Sequence, residues 1–467
     1  MIRTRLFLLL AASLGFPSLV GQTPVGIIIS EQSRTGFMVQ GAGARATGLG
    51  GAFIAVADDA TAVSFNPAGL AQLLKPEVSF VGRASQHSMA YEDVAVTSTG
   101  GTQRLVSDSL LSTSRFDPLF ISGTVPLRVN GKNLVLQLSA QRLIALGESD
   151  TRDLMEAETP EFPANRLTQS ITQRGQIDLY SLAMAYEASQ RILLGITLNV
   201  WRGSWSLDSR SSKLQSGSTS YVNFYQDNHL EGSNFNLGLI WRWPTWSLGL
   251  IYRTGFHADY TYSTHLDTFP APANPRPNGT VNTGLHWPAT LGLGWAYRPG
   301  DRWLLTCDVT HTAWSDARYL SNRPALNGLN FFDLDKGTST PNAVNVRTGV
   351  ERLFLMDSGS VIPLRFGGAR EPQPVVDRLT GHQRIMNSLS LGTGFKRGPY
   401  TVDLGYRYAW SSRRTSQFLD VDQLLSRTGP TSIGTERVKE HRLDVSFIVQ
   451  FERQPVERML RYLFVGD

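Results

Sequence analysis

The sequence predicts an all-β fold: a 14-stranded antiparallel transmembrane β-barrel with a small N-terminal helical hatch in the lumen. Three observations support this prediction: an export signal at the N-terminus, segments in which apolar and polar residues alternate, and connections that are alternately long and short. Composition agrees with it, because 41% of the 467 residues are hydrophobic but only 18% are charged, whereas soluble proteins carry about 25% charged residues. The mean hydropathy of -0.16 argues against a polytopic helical membrane protein.

Residues 1–21 form a predicted signal peptide. Arg3 and Arg5 precede an apolar run over 6–14, and small or polar residues follow it. A positive start, a short apolar region and a small-residue exit are typical of a cleaved export signal. The apolar run is too short to span a bilayer as a helix, and no later stretch approaches the length that a helix needs. The exported protein is therefore either a soluble β-protein or an outer-membrane barrel.

Period-two alternation marks the predicted strands. In the segment 291–298, for example, Leu291, Leu293, Trp295 and Tyr297 alternate with glycine, alanine and arginine. The second face of these segments is small and polar, and the apolar face often ends in aromatic residues. A lipid-facing exterior with aromatic girdles and a polar lumen has this pattern. The predicted strands are 77–87, 117–127, 133–143, 176–187, 191–202, 234–243, 246–256, 288–298, 302–314, 345–353, 361–369, 387–397, 400–410 and 441–451.

The connections between these segments sort by length. The short ones include 188–190, 244–245, 299–301 and 398–399. The long ones are 88–116, 144–175, 203–233, 257–287, 315–344, 370–386 and 411–440. Outer-membrane barrels have an even number of strands, short periplasmic turns and longer extracellular loops. We therefore expect a barrel over 77–451, with a periplasmic tail over 452–467.

Several other classes of site are not supported by the sequence. The single cysteine, Cys307, excludes an intramolecular disulfide and a cysteine-based metal cluster. The histidines are scattered, and neither a G-x-S-x-G elbow nor an H-E-x-x-H helix is present, so we expect no enzyme, no metal site and no cofactor. The net charge of +5 comes mostly from scattered arginines rather than from a basic stripe, which predicts no nucleic-acid partner.

The segment 22–76 does not alternate and is rich in glycine and alanine. Asp58 or Asp59 can cap a short helix, and the Asn66-Pro67 pair then ends it, with proline favoured at the first position of a new helical turn. These features predict a compact segment of small residues. It is too apolar for a free periplasmic tail, so we expect it to fill the lumen as a plug.

The stretch GARATGLGGAFIAVADDATAVSFNPAGL, residues 43–70, resembles the N-terminal hatch of the FadL/TodX long-chain fatty-acid transporters. The residues that match the hatch motif of that family are Asn66, Pro67 and Ala68, followed by Gly69. The segment 287–315 is similar to the mid-barrel hairpin of the family, and 248–254 gives a weaker match. PorV-type barrels, which help to tether secreted proteins, carry a similar N-terminal signature.

This resemblance implies a location in the outer membrane of a Gram-negative-type bacterium, with membrane lipid and the barrel-assembly machinery as partners. It also implies transport of hydrophobic small molecules, most simply long-chain fatty acids or hydrocarbons. In the family, the ligand leaves sideways through the wall beside a kink in the third strand, but the predicted third strand, 133–143, contains neither glycine nor proline. The alternative function, from the PorV-type resemblance, is a secretion accessory or tether.

A fatty acid needs an apolar pocket for its tail and a cation or hydrogen-bond donors for its carboxylate. The candidate tail contacts in the hatch are Leu49, Phe53, Ile54, Phe65 and Leu70. The alternative is that these residues only pack the hatch against the wall. The candidate head-group contacts are Arg45, Arg365 and Arg407. The alternative for them is pairing with lumen acids, of which the candidates are Asp308, Asp403 and Asp444. We expect Asn66 and Pro67 to shape the hatch backbone.

Overall fold

The computed structural model describes a single closed sheet with a short N-terminal segment inside it. The residues described are 41–98, 101–104, 109–156, 165–215, 218–269, 279–322, 327–331, 340–376, 383–415 and 431–452. The predicted signal peptide, the first part of the predicted hatch (22–40) and the predicted tail beyond residue 452 lie outside them.

The sheet is antiparallel throughout. It closes into a barrel because the last strand pairs with the first, and this pairing begins with Glu77 opposite Gln450. Its strands are β1 (Glu77–Ser98), β2 (Gly101–Arg104), β3 (Ser109–Val129), β4 (Lys132–Ala145), β5 (Glu148–Glu156), β6 (Asn165–Glu187), β7 (Ile192–Gln215), β8 (Ser218–Arg242), β9 (Trp246–Arg253), β10 (Phe256–Phe269), β11 (Gly279–Trp287), β12 (Thr290–Tyr297), β13 (Trp303–Thr312), β14 (Arg318–Leu320), β15 (Ala343–Leu355), β16 (Val361–Val376), β17 (Gln383–Arg397), β18 (Tyr400–Thr415) and β19 (Thr431–Gln450).

These segments fill fourteen positions in the wall, which confirms the predicted fold class. Four positions are occupied by two collinear segments each: β4 with β5, β9 with β10, β12 with β11, and β13 with β14. In each case both segments pair with the same neighbouring position, as β9 and β10 do with β8. The short strand β2 only extends a hairpin with β1.

One end of the barrel carries only short turns. Asn130 and Gly131 form a two-residue turn with φ angles of 51° and 78°, the left-handed conformation that tight hairpins require. The other short turns are 188–191, 243–245, 298–302, 356–360 and 398–399. The short connections of the sequence prediction fall among these turns, so this end corresponds to the predicted periplasmic side.

At the opposite end, the prediction of long loops was wrong for much of their length. Strands β7 and β8, for example, pair from Ile192 opposite Trp241 to Gln215 opposite Ser218, although 203–233 was expected to be a loop. The hairpin extends beyond the part of the wall that faces apolar surroundings. The outward face of this extension carries polar residues such as Ser204, Ser206 and Asp208, so the apolar lipid-facing row that identifies a membrane strand is lost.

The outer surface of the wall is apolar. Along β7, Leu194, Ile196 and Leu198 point outward and are exposed, and at the periplasmic end Trp243 stacks on Trp246 with ring centroids 3.6 Å apart. An apolar band bordered by aromatic side chains is the surface that a barrel presents to a bilayer. Within the described ranges, no helix has both the length and the apolar character needed to cross a membrane.

The N-terminal segment lies inside the barrel as three short helical elements: α1 (Ala44–Gly48) and two 3-10 helices, Ala60–Ser64 and Pro67–Gln72. Of the two candidate caps, Asp59 caps the first 3-10 helix by accepting a hydrogen bond from the Thr61 backbone N–H at 2.8 Å. Burial raises the pKa of the Asp59 carboxyl. Asn66 caps the second, which begins at Pro67.

Candidate ligand-binding site in the lumen

The hatch rests directly on glycines of the wall. A Cβ atom added to Gly367 would lie 2.2 Å from the Gly50 nitrogen, and one added to Gly405 would lie 2.2 Å from the Ala44 carbonyl oxygen. We call the inward-facing glycines that contact the hatch in this way the glycine belt: Gly195, Gly238, Gly249, Gly294, Gly349, Gly367, Gly392 and Gly405. Because they lie on eight strands around the barrel, they allow the hatch backbone to approach the wall more closely than any side chain would permit.

Hydrogen bonds of polar side chains of the wall and the hatch also hold the hatch against the wall. Asp308 on β13 accepts hydrogen bonds from the backbone N–H groups of Phe53 and Ile54, at 2.6 and 2.8 Å, through one carboxylate oxygen. The Asn66 amide donates to the carbonyl oxygens of Ile54, at 2.9 Å, and Leu239, at 3.1 Å. Asn66 therefore ties one part of the hatch to another and to the wall, which is consistent with the role expected for the motif.

The remaining motif residues are also tightly enclosed. Pro67, Ala68 and Gly69 are buried, and a Cβ atom on Gly69 would lie only 1.8 Å from the Ala57 carbonyl oxygen. Substitution of this glycine requires the hatch backbone to move. These three motif residues are therefore enclosed between the rest of the hatch and the wall.

The structure separates the five apolar hatch candidates into two groups. Leu49, Phe53 and Leu70 are fully buried within the cluster that packs the hatch against the wall. Ile54 and Phe65 also line the open space above the hatch. Only these two are therefore placed where a molecule in the lumen could touch them.

The three candidate arginines all make ion pairs. Arg45 pairs with Glu351 at 3.1 Å and also contacts Asp58. Arg365 pairs with Glu351 and Asp403, both at 2.6 Å. These two arginines lie at hatch level, where they link the hatch and the wall. Arg407 differs, because it lines the space above the hatch while it pairs with Glu371.

That space, which we call the chamber, has a volume of about 120 Å³. Ile54, Val63 and Phe65 of the hatch line it from below. Strands from β4 round to β19 contribute side chains to it, including Leu143 near one end and Arg442 near the other. The chamber therefore contacts two chemically different parts of the wall.

The first part is an aromatic wall. It is formed by inward-facing side chains of β7, β10, β11 and β14, by Trp314 in the 3-10 helix Trp314–Asp316, and by Phe331 beyond β14. None of these residues was predicted from the sequence. Trp201 packs on Trp287 with ring centroids 5.3 Å apart, and Trp287 meets Trp314 edge-on at 5.7 Å. The Trp201 indole N–H donates to the Asn234 amide oxygen at 2.9 Å, which orients the ring. The further aromatic members of this buried cluster are Trp205, Phe256, Tyr260, Tyr262, Tyr319 and Phe331.

The second part is a charged wall on β15 to β19 and β1. Its residues alternate in sign: Arg347 pairs with Glu371 at 2.7 Å, and Arg442 pairs with Glu440 at 2.6 Å. Arg83 and Asp444 continue the series toward the closure of the barrel, at 2.7 Å. These pairings are of the kind anticipated for lumen arginines, and the predicted acid Asp444 takes part in them.

Arg253 on β9 is an exception among the lumen cations. Its guanidinium donates to the Ser64 carbonyl oxygen at 2.7 Å and lines the chamber. It forms no ion pair with any carboxylate in the described part of the chain. Since Trp201, Trp287 and Ile54 line the same chamber, this cation lies beside apolar side chains. The described residues also contain no cluster of three or more histidine, cysteine or acidic side chains that could hold a metal ion.

Comparison with known proteins supports the fold. No family model and no curated protein sequence matches this chain. Among solved structures, a FadL homologue of Pseudomonas aeruginosa aligns over 89% of this chain and 100% of its own, with 15% identity and a TM-score of 0.63. The chain has the fold of the FadL-type barrels. The CymD monoaromatic hydrocarbon channel aligns with 14% identity over 89% and 99% of the two chains, at a TM-score of 0.54. The Pseudomonas putida toluene transporter TodX aligns with 14% identity over 88% of this chain and 99% of its own, at a TM-score of 0.52.

The wall of this FadL-type barrel has a gap beside the chamber. Pairing between β3 and β4 ends at Phe120 opposite Gln141, although both strands continue. The register of β4 against β6 shifts between Arg142 and Ile144, a bulge formed without the glycine or proline sought in the sequence. Above this point the described residues of the two strands form no ladder pairs. Side chains bridge them instead: Arg142 lies 3.4 Å from Asp117, and Arg115 donates to the Ala145 carbonyl oxygen.

A groove crosses the outside of the wall next to this gap. Gly123 and Ala140 are small, outward-facing residues, and they leave space between Ile121, Leu138 and Tyr180. Gln141 and Leu143, which adjoin Ala140 in β4, line the chamber on the other side. The chamber and the outer groove are therefore separated by a few residues of one strand at the place where its hydrogen bonding is interrupted.

Proposed function

We propose that this protein transports hydrophobic molecules inward across the outer membrane, long-chain fatty acids or hydrocarbons being the most suitable ligands. The observation that carries the proposal is a small chamber with an aromatic wall directly above a hatch that fills the lumen. A barrel blocked in this way is unsuited to passing small polar solutes. A mostly apolar cavity with a few polar groups is the usual form of a ligand pocket.

The proposal extends to this chain a property of proteins that share its fold, which include a toluene transporter and a monoaromatic hydrocarbon channel. The tether alternative predicts a lumen closed to ligand. The chamber favours transport over tethering, since a tether has no use for an apolar cavity beside its plug.

Within the chamber, Arg253 is the best-placed partner for a carboxylate. Arg407 and Arg442, which also line the chamber, already pair with Glu371 and Glu440, so a ligand carboxylate would compete with a protein carboxylate there. Arg253 faces no such competitor among the described residues, and hydrogen bonds to charged groups are among the stronger ones. The fatty-acid tail would then lie along Trp201 and Trp287.

We further propose that the ligand leaves sideways, through the interrupted pairing between β3 and β4. An apolar molecule that reaches the outer groove enters the bilayer without crossing the polar periplasmic turns. The bridging ion pair of Arg142 with Asp117 is weak at 3.4 Å and partly exposed, and ion pairs of this kind typically contribute no more than about 1 kcal/mol. Separation of this ion pair is therefore a small obstacle, and passage would also break the hydrogen bond from Arg115 to the Ala145 carbonyl oxygen.

Uptake of labelled oleate and labelled hexadecane by cells with and without the gene tests the transport function. We expect faster uptake of at least one compound when the protein is present, and equal uptake of both would overturn the proposal. The Asn66→Ala variant provides a second readout, because loss of its two hydrogen bonds should slow uptake while heat-modifiable gel migration reports an assembled barrel.

The exit route is tested by filling the outer groove. Ala140→Trp should slow uptake while leaving oleate binding in detergent unchanged, because the substituted side chain lies outside the chamber. Val346→Trp is the matched control, since Val346 points outward on β15, away from the gap. Equal uptake by the two variants would argue against lateral exit without affecting the proposed ligand site.

A further inference from the structure

Three cations occupy the outer surface of the barrel near the extracellular ends of β18 and β19. Arg414, Arg437 and Lys439 point outward and are exposed. Arg437 and Lys439 are two residues apart on one strand, which places their Cα atoms about 7 Å apart. Arg414 is opposite Thr435, one diagonal step from Arg437, and such neighbours are also about 7–8 Å apart. We call this group the basic patch.

The basic patch lies directly above an aromatic girdle. Tyr408 stacks on Trp410 with ring centroids 5.5 Å apart and packs at a tilt against His441 at 5.0 Å. Lys439 is opposite Trp410 in the sheet, and the other two cations are farther from the membrane centre. Girdles of aromatic side chains mark the level of lipid headgroups in a membrane barrel. The cations are therefore at the height of the headgroup phosphates of the outer leaflet.

The charge of the basic patch is only partly neutralised. Arg437 pairs with Glu92 at 3.1 Å, whereas Arg414 and Lys439 form no ion pair with the described carboxylates. Of the four positions opposite Arg437 and Lys439, three carry small residues, Ser88, Ala90 and Ser412, and the fourth carries Trp410. None of these four side chains is an acid that could neutralise the cations.

The outer surface of β7 and β8 gives a useful contrast. Its cations are each paired: Arg202 contacts Glu231, and Arg210 lies 2.8 Å from Asp208. Asp227 on β8 adds a further outward acid. That side of the barrel is neutral to acidic and lacks the net positive charge of the β18–β19 side.

We propose that the basic patch binds the phosphorylated headgroup of an outer-leaflet glycolipid of the lipid A type. Arginine and lysine recognise phosphate oxygens through charge-assisted hydrogen bonds, and cations near a membrane surface attract anionic lipid headgroups. Below the patch, Leu404, Leu443 and Val445 point outward and would contact the acyl chains. The site depends on insertion in the outer membrane but not on transport, so it extends beyond the proposed function.

The test uses the purified full-length protein in detergent with bis-phosphorylated, hexa-acylated lipid A as the probe and native mass spectrometry as the readout. We expect the double variant Arg414→Gln/Lys439→Gln to bind lipid A about tenfold more weakly than the unsubstituted protein, because each cation contributes a factor of several to attraction of an anionic lipid. The matched control is Arg202→Gln/Arg210→Gln, which removes two paired cations at the opposite surface and should bind normally.

Equal binding by the two double variants would overturn the proposal. Inorganic phosphate in excess should not displace the lipid, because the acyl chains also contribute, and its displacement by phosphate would identify a free-anion site instead. Heat-modifiable migration verifies that both variants assemble. If the patch double variant fails to assemble, the single variant Lys439→Gln, at an exposed position, takes its place, and unchanged binding by it would count equally against the site.

Discussion

Two levels of the same lumen are built in opposite ways. At the level of the hatch, the wall presents the glycine belt, and the hatch backbone packs closely against it. At the level of the chamber, the wall presents tryptophans on one side and ion pairs on the other. Small residues bring the hatch into direct contact with the wall, whereas large side chains that do not meet across the barrel leave a cavity. Side-chain size therefore determines whether the lumen is closed or can hold a ligand.

The largest change is expected for a substitution in the glycine belt, because it displaces the hatch. In Gly367→Ala, the new methyl group would lie 2.2 Å from the Gly50 nitrogen, so the hatch must shift. Overpacking of this kind typically costs about 1–3 kcal/mol. We expect an increase in single-channel conductance in planar bilayers, because a displaced hatch opens the lumen to ions.

The control is Gly279→Ala, where no atom lies within 4 Å of the added methyl group. Heat-modifiable migration separates a displaced hatch from a failed barrel. Equal conductance of the two variants would show that the hatch does not depend on the belt for its position.

An intermediate loss of oleate affinity is expected for a substitution in the aromatic wall. Trp287→Ala should weaken oleate binding by roughly tenfold to a hundredfold, because burial of a large apolar side chain contributes about 1.5–3 kcal/mol. Isothermal titration calorimetry in detergent measures the change. Trp295→Ala is the control, since Trp295 is 42% exposed on the outer face of the adjoining strand. If both variants bind oleate normally, the ligand does not occupy the chamber.

The smallest and most selective effect is expected at Arg253. Arg253→Gln should weaken oleate binding by about tenfold, as expected for loss of a hydrogen bond between charged groups. Oleyl alcohol has the same tail without the carboxylate, and its affinity should not change. The control variant is Arg352→Gln, an outward arginine that packs over Trp303. An equal loss for the acid and the alcohol would mean that Arg253 supports the shape of the chamber rather than binding a carboxylate.

Much of the fold followed from local patterns. The fourteen wall positions coincide with the fourteen alternating segments, because each strand has one face toward lipid and one toward the lumen. The cap at Asp59 and the helical turn that begins at Pro67 depend only on neighbouring backbone, so the sequence could indicate them. The extended hairpins beyond the membrane were missed because neither of their faces meets lipid.

The candidate site was harder to predict, and the reason lies in interruptions of the strands. Trp287 and Trp295 both occupy odd positions in one alternating stretch, yet Trp287 points into the chamber and Trp295 points outward. Pro288 and Ala289 separate β11 from β12 and reverse which parity faces inward. The same reversal between β9 and β10 places both Arg253 and Phe256 in the lumen. No local pattern shows such a reversal.

The alternation of apolar and polar residues, together with the alternation of long and short connections, predicted a barrel of fourteen strands from the sequence alone, because each membrane strand turns one face to lipid and the other to the lumen. The tertiary structure alone decided which residues meet inside: the breaks in the strands select the tryptophans of the chamber, and the bulge in β4 interrupts the wall beside them. The physical reason is that a side chain in the lumen contacts residues from distant strands and from the hatch, so its surroundings depend on the closure of the whole barrel.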